Sequence, residues 1–267
     1  MTKILPFILF LFIVPITPLS TFAQEDSIQS IIDNENTTDD VQFQNYLQLI
    51  NNYSTTDTKK AVLIAEQACV WAKNNNLESY LARFYYETAQ LCYYQLNEFE
   101  QAINYYNLAI PIQRDLKESE NLAKSYTNAG NSYHYLAQFQ IAAKYYQQGL
   151  TLFEELNHYF GQSLLLNNLG VANQHLGNYS KAADYYFKAL HLAEEKNDSP
   201  NIAMCYANIG TTYFDNNEFE LSKKYLDKAT QLYGLLNDST NLTNCYINLG
   251  NVAAQTFHHE KALLYYN

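Results

Sequence analysis

The chain has 267 residues, 48% of them hydrophobic, which is ample material for one or two compact domains or for a stacked array whose length counts repeats. Sixteen basic against twenty-seven acidic side chains leave a formal net charge of -11. Nucleic-acid affinity rests on Lys and Arg neutralising phosphates, so a chain this acidic argues against DNA or RNA as a partner.

Residues 1–23 read as a secretory signal peptide. Lys3 supplies the positive start, Ile4 to Leu19 is nearly continuous apolar chain, and Thr21-Phe22-Ala23 places small residues before a cleavage site at Gln24. Pro6, Pro15 and Pro18 interrupt the stretch, and it falls short of the ~20 apolar residues of a membrane span, which weighs against a retained anchor. No cysteine follows the cleavage site, so a lipoprotein anchor is not indicated, and no run of 18 apolar residues follows Gln24. The mature chain is expected to be exported, periplasmic or extracellular, with membrane attachment only through a span beyond residue 267. Residues 24–40, acidic and rich in Asn and Thr, predict a flexible lead-in.

Helical periodicity begins near Val41. Residues 41–79 predict one irregular helix pair whose second helix carries Ala61, Ala65 and Ala68. From Tyr80 the pattern settles into a 40-residue unit, punctuated by Asn128-Ala-Gly130, Asn168-Leu-Gly170, Asn208-Ile-Gly210 and Asn248-Leu-Gly250. A unit of this period cannot bury its apolar face alone, so copies must stack on their neighbours. Each unit holds two apolar-periodic stretches divided by a polar turn such as Leu176-Gly177-Asn178-Tyr179, which predicts two antiparallel helices and an all-α solenoid. Between units the joints are Asn- and Asp-rich. Ser199 before Pro200 predicts an N-cap, and Pro111, late in a second helix, predicts a kink or an end there.

The residues at the repeated slots resemble those of the tetratricopeptide repeat family. One unit has Tyr126, Ala129, Gly130, Tyr133, Ala142, Tyr146 and Gly149 at the family's aromatic and small positions. The next has Leu166, Leu169, Gly170, Asn173, Ala182, Tyr186 and Ala189, and the following one Tyr206, Ile209, Gly210, Tyr213, Ser222, Leu226 and Ala229. The unit around Thr88-Ala89-Gln90 lacks the glycine but keeps Tyr93, Ala102, Tyr106 and Ala109. The resemblance implies a right-handed superhelix of stacked helix pairs over residues 80–267, with four full units and one cut short, and a degenerate pair at 41–79. The family's repeat is shorter, so the added residues are expected to lengthen the second helix by about a turn and a half.

Recurrence serves as an internal control: residues that hold the fold repeat at one slot, while residues that hold a partner need not. The recurring glycines cost about 1 kcal/mol each in helix propensity, which predicts close helix approach, met by Ala102, Ala142, Ala182 and Ala262 opposite. The pairs Tyr105-Tyr106, Tyr145-Tyr146, Tyr185-Tyr186 and Tyr265-Tyr266 predict one ring in the interface and one more exposed. Asn128, Asn168, Asn208 and Asn248 recur, which favours a structural hydrogen bond over ligand binding. Cys69, Cys92, Cys205 and Cys245 are expected to be buried and unbridged, because equivalent sites on neighbouring helices lie about 8–10 Å apart. The six histidines fall at scattered slots without zinc spacing, His258-His259-Glu260 included, and no nucleophile elbow or phosphate-cradling loop occurs. No enzyme activity, cofactor or metal is expected.

The resemblance places a concave groove on the first helices. Carried over slot by slot, its lining is Phe84, Glu87, Leu91 and Tyr94, then Lys124, Thr127, Asn131 and His134, then Leu164, Asn167, Val171 and Gln174. Met204, Ala207, Thr211 and Phe214 follow, with Asn244, Ile247, Asn251 and Ala254 last. With one lysine, the basic clamp that holds acidic peptide C-termini in chaperone-binding relatives is missing, so the expected partner is a neutral, partly apolar peptide or protein segment. Long-period arrays behind a signal peptide resemble the sensory part of bacterial signalling proteins that end in a histidine kinase or a transcriptional regulator. A free periplasmic or secreted scaffold for envelope assembly is the alternative. Lys261-Ala-Leu-Leu-Tyr-Tyr-Asn267 matches Lys181 to Phe187 and stops halfway through a second helix, so the array is expected to continue in a longer protein.

Overall fold

The computed structural model describes residues 37–267, so the signal peptide and most of the lead-in lie outside the described residues. Twelve helices follow one another: α1 Asp39–Tyr53, α2 Thr58–Asn74, α3 Glu78–Gln90, α4 Phe99–Asp115, α5 Ser119–Tyr135 and α6 Phe139–Glu155. Then come α7 Tyr159–His175, α8 Tyr179–Glu195, α9 Ser199–Asp215, α10 Phe219–Leu235, α11 Ser239–Gln255 and α12 His259–Tyr266. Each packs against the next in chain order, giving a superhelix of antiparallel pairs. The first helix begins two residues before Val41: Asp39 and Asp40 form its first turn, where carboxylates meet the positive end of the helix dipole. Among the described residues no helix is long and apolar enough to cross a membrane.

The 40-residue period divides evenly. Both helices of a unit have 17 residues, about 25 Å of rise, and are joined by three residues at either end. The added length is therefore not confined to the second helix, contrary to the expectation above. The joints are built alike. Asn157 has φ 50°, its N–H donates to the Glu154 carbonyl at 3.0 Å, and the His158 N–H donates to the Phe153 carbonyl at 2.9 Å. The same left-handed residue recurs at Lys117, Ala137, Asn197, Asn217 and Asn237, with Gly177 at φ 73° in the equivalent place. This double bond satisfies the last carbonyls of each helix, and asparagine tolerates the left-handed conformation, which accounts for the Asn-rich joints.

Two local expectations change. The cap of α9 is Asp198, one residue before Ser199: its carboxylate accepts from the Asn201 N–H at 3.2 Å, and Asp238 does the same for α11 at 3.1 Å. Helix α4 does not end at Pro111 but continues to Asp115. Pro111 and Asn107, whose carbonyl it leaves without a donor, are both exposed, so water can serve that carbonyl.

Packing follows the repeated slots. A Cβ on Gly130 would lie 2.6 Å from the Tyr146 ring, so the glycine admits the ring of the opposing helix. Tyr106, Tyr146 and Tyr186 are buried, while Tyr105, Tyr145 and Tyr185 are half-buried, as the paired tyrosines predict; the pair Tyr265-Tyr266 departs from this, with Tyr266 exposed although its ring lies against Gly250. All four cysteines are free and buried. Burial pushes the Cys69 and Cys205 thiols up to about 12, and the Cys92 and Cys245 thiols up to about 11, so they act as small apolar side chains. At the N-terminal end, Phe43, Tyr46, Trp71 and Phe84 form an aromatic core between α1, α2 and α3.

Candidate peptide-binding groove

The stacking of first helices α3, α5, α7, α9 and α11 divides the expected groove positions into buried and surface ones. Phe84 is not in the groove: it is 0% exposed, with its ring 5.2 Å from Phe43 and 5.8 Å from Tyr46. The N-terminal pair covers that slot, and Leu91 beside it is buried as well. Thr127 and Asn167 are also buried. The Thr127 hydroxyl donates to the Ala123 carbonyl at 2.8 Å. The Asn167 amide donates to the Ser163 carbonyl at 2.9 Å and accepts from Asn208 at 3.2 Å. Their slot faces the first helix of the next unit, so these polar groups are spent on packing. Ile247 occupies the same slot on α11, the last first helix among the described residues, and is exposed.

The remaining positions reach the surface. Lys124 and Asn244 are exposed, and Lys124 pairs with Glu120 at 2.6 Å. Asn131, His134, Val171, Gln174, Met204, Thr211, Phe214 and Asn251 are half-buried, while Leu164 and Tyr94 are 50% and 58% exposed. Four of these, Asn131, His134, Leu164 and Val171, meet in one cleft of about 600 Å³ between α5 and α7. No Asp, Glu, Lys or Arg lines it.

The rest of the cleft wall was not anticipated. Tyr135 and His175 sit one residue past the slots examined, Phe139 opens a second helix, and Tyr93 lies on the π-helical turn Leu91–Leu96 that extends α3. The aromatic that opens a second helix recurs as Phe99, Phe139, Tyr179 and Phe219, a signal present in the sequence but on the helix opposite the expected groove lining. Phe139 stacks on His175 with centroids 4.4 Å apart and planes within 8°, and His134 stands edge-on to both at 5.1 and 5.4 Å. On the other flank Phe99 stacks on Tyr135 at 4.8 Å, with Tyr93 edge-on to Tyr135 at 5.6 Å. Burial, with His175 adding to it, lowers the His134 pKa, so this imidazole is neutral at neutral pH.

Polar capacity in the cleft is concentrated at Asn131. Its Oδ1 accepts from the Tyr146 hydroxyl at 3.0 Å and from the Asn168 amide at 3.2 Å, which occupies both lone pairs and leaves Nδ2 as the group that can donate to a ligand. Asn128 donates to Tyr86 at 3.1 Å and Asn208 to Asn167 at 3.2 Å. Asn128, Asn168 and Asn208 thus each tie their first helix to the one before it, as their repetition predicts; among the described residues no such bond is found at Asn248. Among the described residues no three His, Cys, Asp or Glu side chains converge as a metal site.

Two stretches, residues 80–155 and 162–234, match the model of the tetratricopeptide repeat, and together they cover more than half of the chain. The chain belongs to the tetratricopeptide repeat family. No curated protein matches its sequence. Among solved structures, this tetratricopeptide array is similar to the apo form of RapI, with 18% identity and a TM-score of 0.73 over 92% of this chain and 69% of that one. It is similar to the tetratricopeptide repeat sensor protein of the signal-transduction ATPase class with numerous domains from Pyrococcus horikoshii, with 17% identity, a TM-score of 0.72, and coverage of 92% of this chain and 39% of that one. A Rap protein complexed with Competence and Sporulation Factor matches with 17% identity, a TM-score of 0.58, and coverage of 93% and 69%. At such identities the likeness is one of fold. The chain is a tetratricopeptide protein-binding repeat module, and these structural neighbours include regulatory tetratricopeptide proteins.

Proposed function

We propose that the array is the peptide-sensing part of an exported bacterial signalling protein, and that it captures a neutral, partly apolar segment in the cleft between α5 and α7. The observation that carries this is the cleft itself: about 600 Å³, free of charged side chains, walled by stacked rings, with the Asn131 amide free to donate to a peptide carbonyl. An aromatic or branched side chain enters between Phe139, Leu164 and Val171, and the amide fixes the main chain beside it. The Rap neighbour solved with a peptide factor and the archaeal neighbour with a repeat sensor support a sensing role by analogy. The leader at residues 1–23 supports export, and the array performs recognition rather than chemistry. A histidine kinase or transcriptional regulator as output is part of the same reading, and a free envelope scaffold is its alternative.

A test is to screen the chain against a peptide library and measure the best binder by fluorescence anisotropy. Leu164→Asp and Val171→Asp, both at exposed or half-exposed sites, should weaken that peptide at least about tenfold with an unchanged helical circular dichroism spectrum. Unaltered affinity in both folded variants would place the site elsewhere. Reading the frame past Asn267 separates the two biological settings: a hydrophobic span with kinase motifs supports sensing, and a stop after a polar cap supports the scaffold.

A further inference from the structure

A second cleft of about 600 Å³ lies between successive second helices, α4 and α6, away from the first-helix groove. Its chemistry differs from the groove in every respect. Arg114 on α4 and Lys144 on α6 face it, and no Asp or Glu lines it. Among the described residues neither cation has a carboxylate within ion-pair distance, as holds for most of the chain's cations. In a chain with twenty-seven acidic and sixteen basic residues, two unneutralised cations sharing one cleft are a local reversal of sign.

The repeat shows that these cations are not part of the fold. Forty residues on from Arg114 stand Glu154 and then Glu194, and the slot of Lys144 holds Asn104, Asp184 and Lys224 in the other units. The scaffold around them is nevertheless ordered. The Arg114 guanidinium donates to the Tyr126 hydroxyl at 2.5 Å, and the Tyr145 hydroxyl donates to Asn107 Oδ1 at 2.8 Å, tying α6 to α4 across the cleft. Gln147, Gln148 and Thr151 add amide and hydroxyl groups along α6. A smaller cleft of about 310 Å³ shares Lys144 and Gln147, adds Lys181, and likewise has no Asp or Glu in its lining.

We propose that the α4–α6 cleft binds a small anionic sugar, a uronate or a sugar phosphate. Guanidinium and ammonium groups supply the oxyanion contacts, with the planar fork of Arg114 suited to a two-point bond. The Asn107 and Gln147 amide oxygens already accept from Tyr145 and Tyr185, so their NH2 groups donate to the hydroxyls of a pyranose; the Thr151 hydroxyl, which donates to the Gln147 carbonyl at 3.1 Å, accepts from them, and the Gln148 amide can do both. The half-buried Tyr145 ring, backed edge to face at 5.9 Å by the buried Tyr126, supplies the apolar surface that a sugar's C–H face requires. The size of the cleft is that of a small-ligand site. This site is independent of the peptide groove and would stand if that assignment fell.

The test is calorimetric titration of the chain at low salt with glucuronate, glucose 6-phosphate, glucose and inorganic phosphate. One of the two sugar acids should bind, and the tighter of the pair identifies the oxyanion. Glucose and inorganic phosphate should each bind at least about tenfold more weakly, because each lacks half of the contacts. Arg114→Gln and Lys144→Gln should each weaken the sugar acid about tenfold, and Lys196→Gln, an exposed cation away from the cleft, should not. Lys144 is exposed and its hydrogen-bonding is not used by the fold, so that variant stays informative if Arg114→Gln is unstable. Equal binding of glucose, equal binding of inorganic phosphate, indifference to Lys144→Gln, or failure of both sugar acids to bind would each overturn the proposal.

Discussion

Glycine and tyrosine decide the local geometry, and they do so by contact rather than by propensity. A Cβ at Gly170 would collide with the Tyr186 ring, which is buried and donates its hydroxyl to Gln174 at 3.3 Å. Around Gly234, within α10, a Cβ meets nothing within 4 Å. Alanine improves helix propensity by up to about 1 kcal/mol at either place, but overpacking against a buried ring costs about 1–3 kcal/mol. Gly170→Ala should therefore lower the urea midpoint, and Gly234→Ala should raise it by an amount equivalent to about 0.5 kcal/mol. Two shifts of the same sign would refute this account.

His134 gives the groove a pH dependence. Burial first, then His175, lowers its pKa below 6.5 in the folded chain, so the unfolded chain takes up the proton at higher pH than the folded one does. The stability associated with the neutral ring is complete above pH 6.5 and is lost as the pH falls toward the folded value. Denaturation midpoints should accordingly fall between pH 7 and 5, and less steeply in His134→Gln than in the parent, since that variant removes the His134 proton from the linkage. Parallel pH profiles for the two proteins would exclude His134 as a contributor.

At the scale of the helix, the joints matter most. Each three-residue connection needs one residue in the left-handed region, a place that suits asparagine or glycine and strains other side chains. Lys117 occupies it at φ 58°, with its N–H bonded to the Arg114 carbonyl at 3.1 Å. Lys117→Gly should stabilise the chain by about 1 kcal/mol in chemical denaturation, because it relieves that strain and leaves the bond in place. A loss of stability would show that the lysine makes a compensating contact. The second helices also carry what a search of first helices passes over: Phe139 completes the groove cleft, and Lys144 faces the opposite one.

At the scale of the molecule, each pair rests only on its neighbours, so burial at a given slot depends on whether another helix follows. That explains why Thr127 and Asn167, under the next first helix, left the groove while Ile247 remained at the surface; Phe84, at another slot, is covered by the N-terminal pair that precedes it. The sequence by itself determined the period, the two helices per unit, the packing role of glycine, alanine and tyrosine, and the structural role of the recurring asparagines. These were legible because a packing constraint repeated in every unit leaves the same residue at the same slot. Only the tertiary structure decided which variable residues share a cavity. Asn131, His134, Leu164 and Val171 join Tyr93, Tyr135, Phe139 and His175, and Arg114 joins Lys144, through the angle at which one pair stacks on the next. That angle arises from the summed contacts of whole helices, and no spacing along the chain records it.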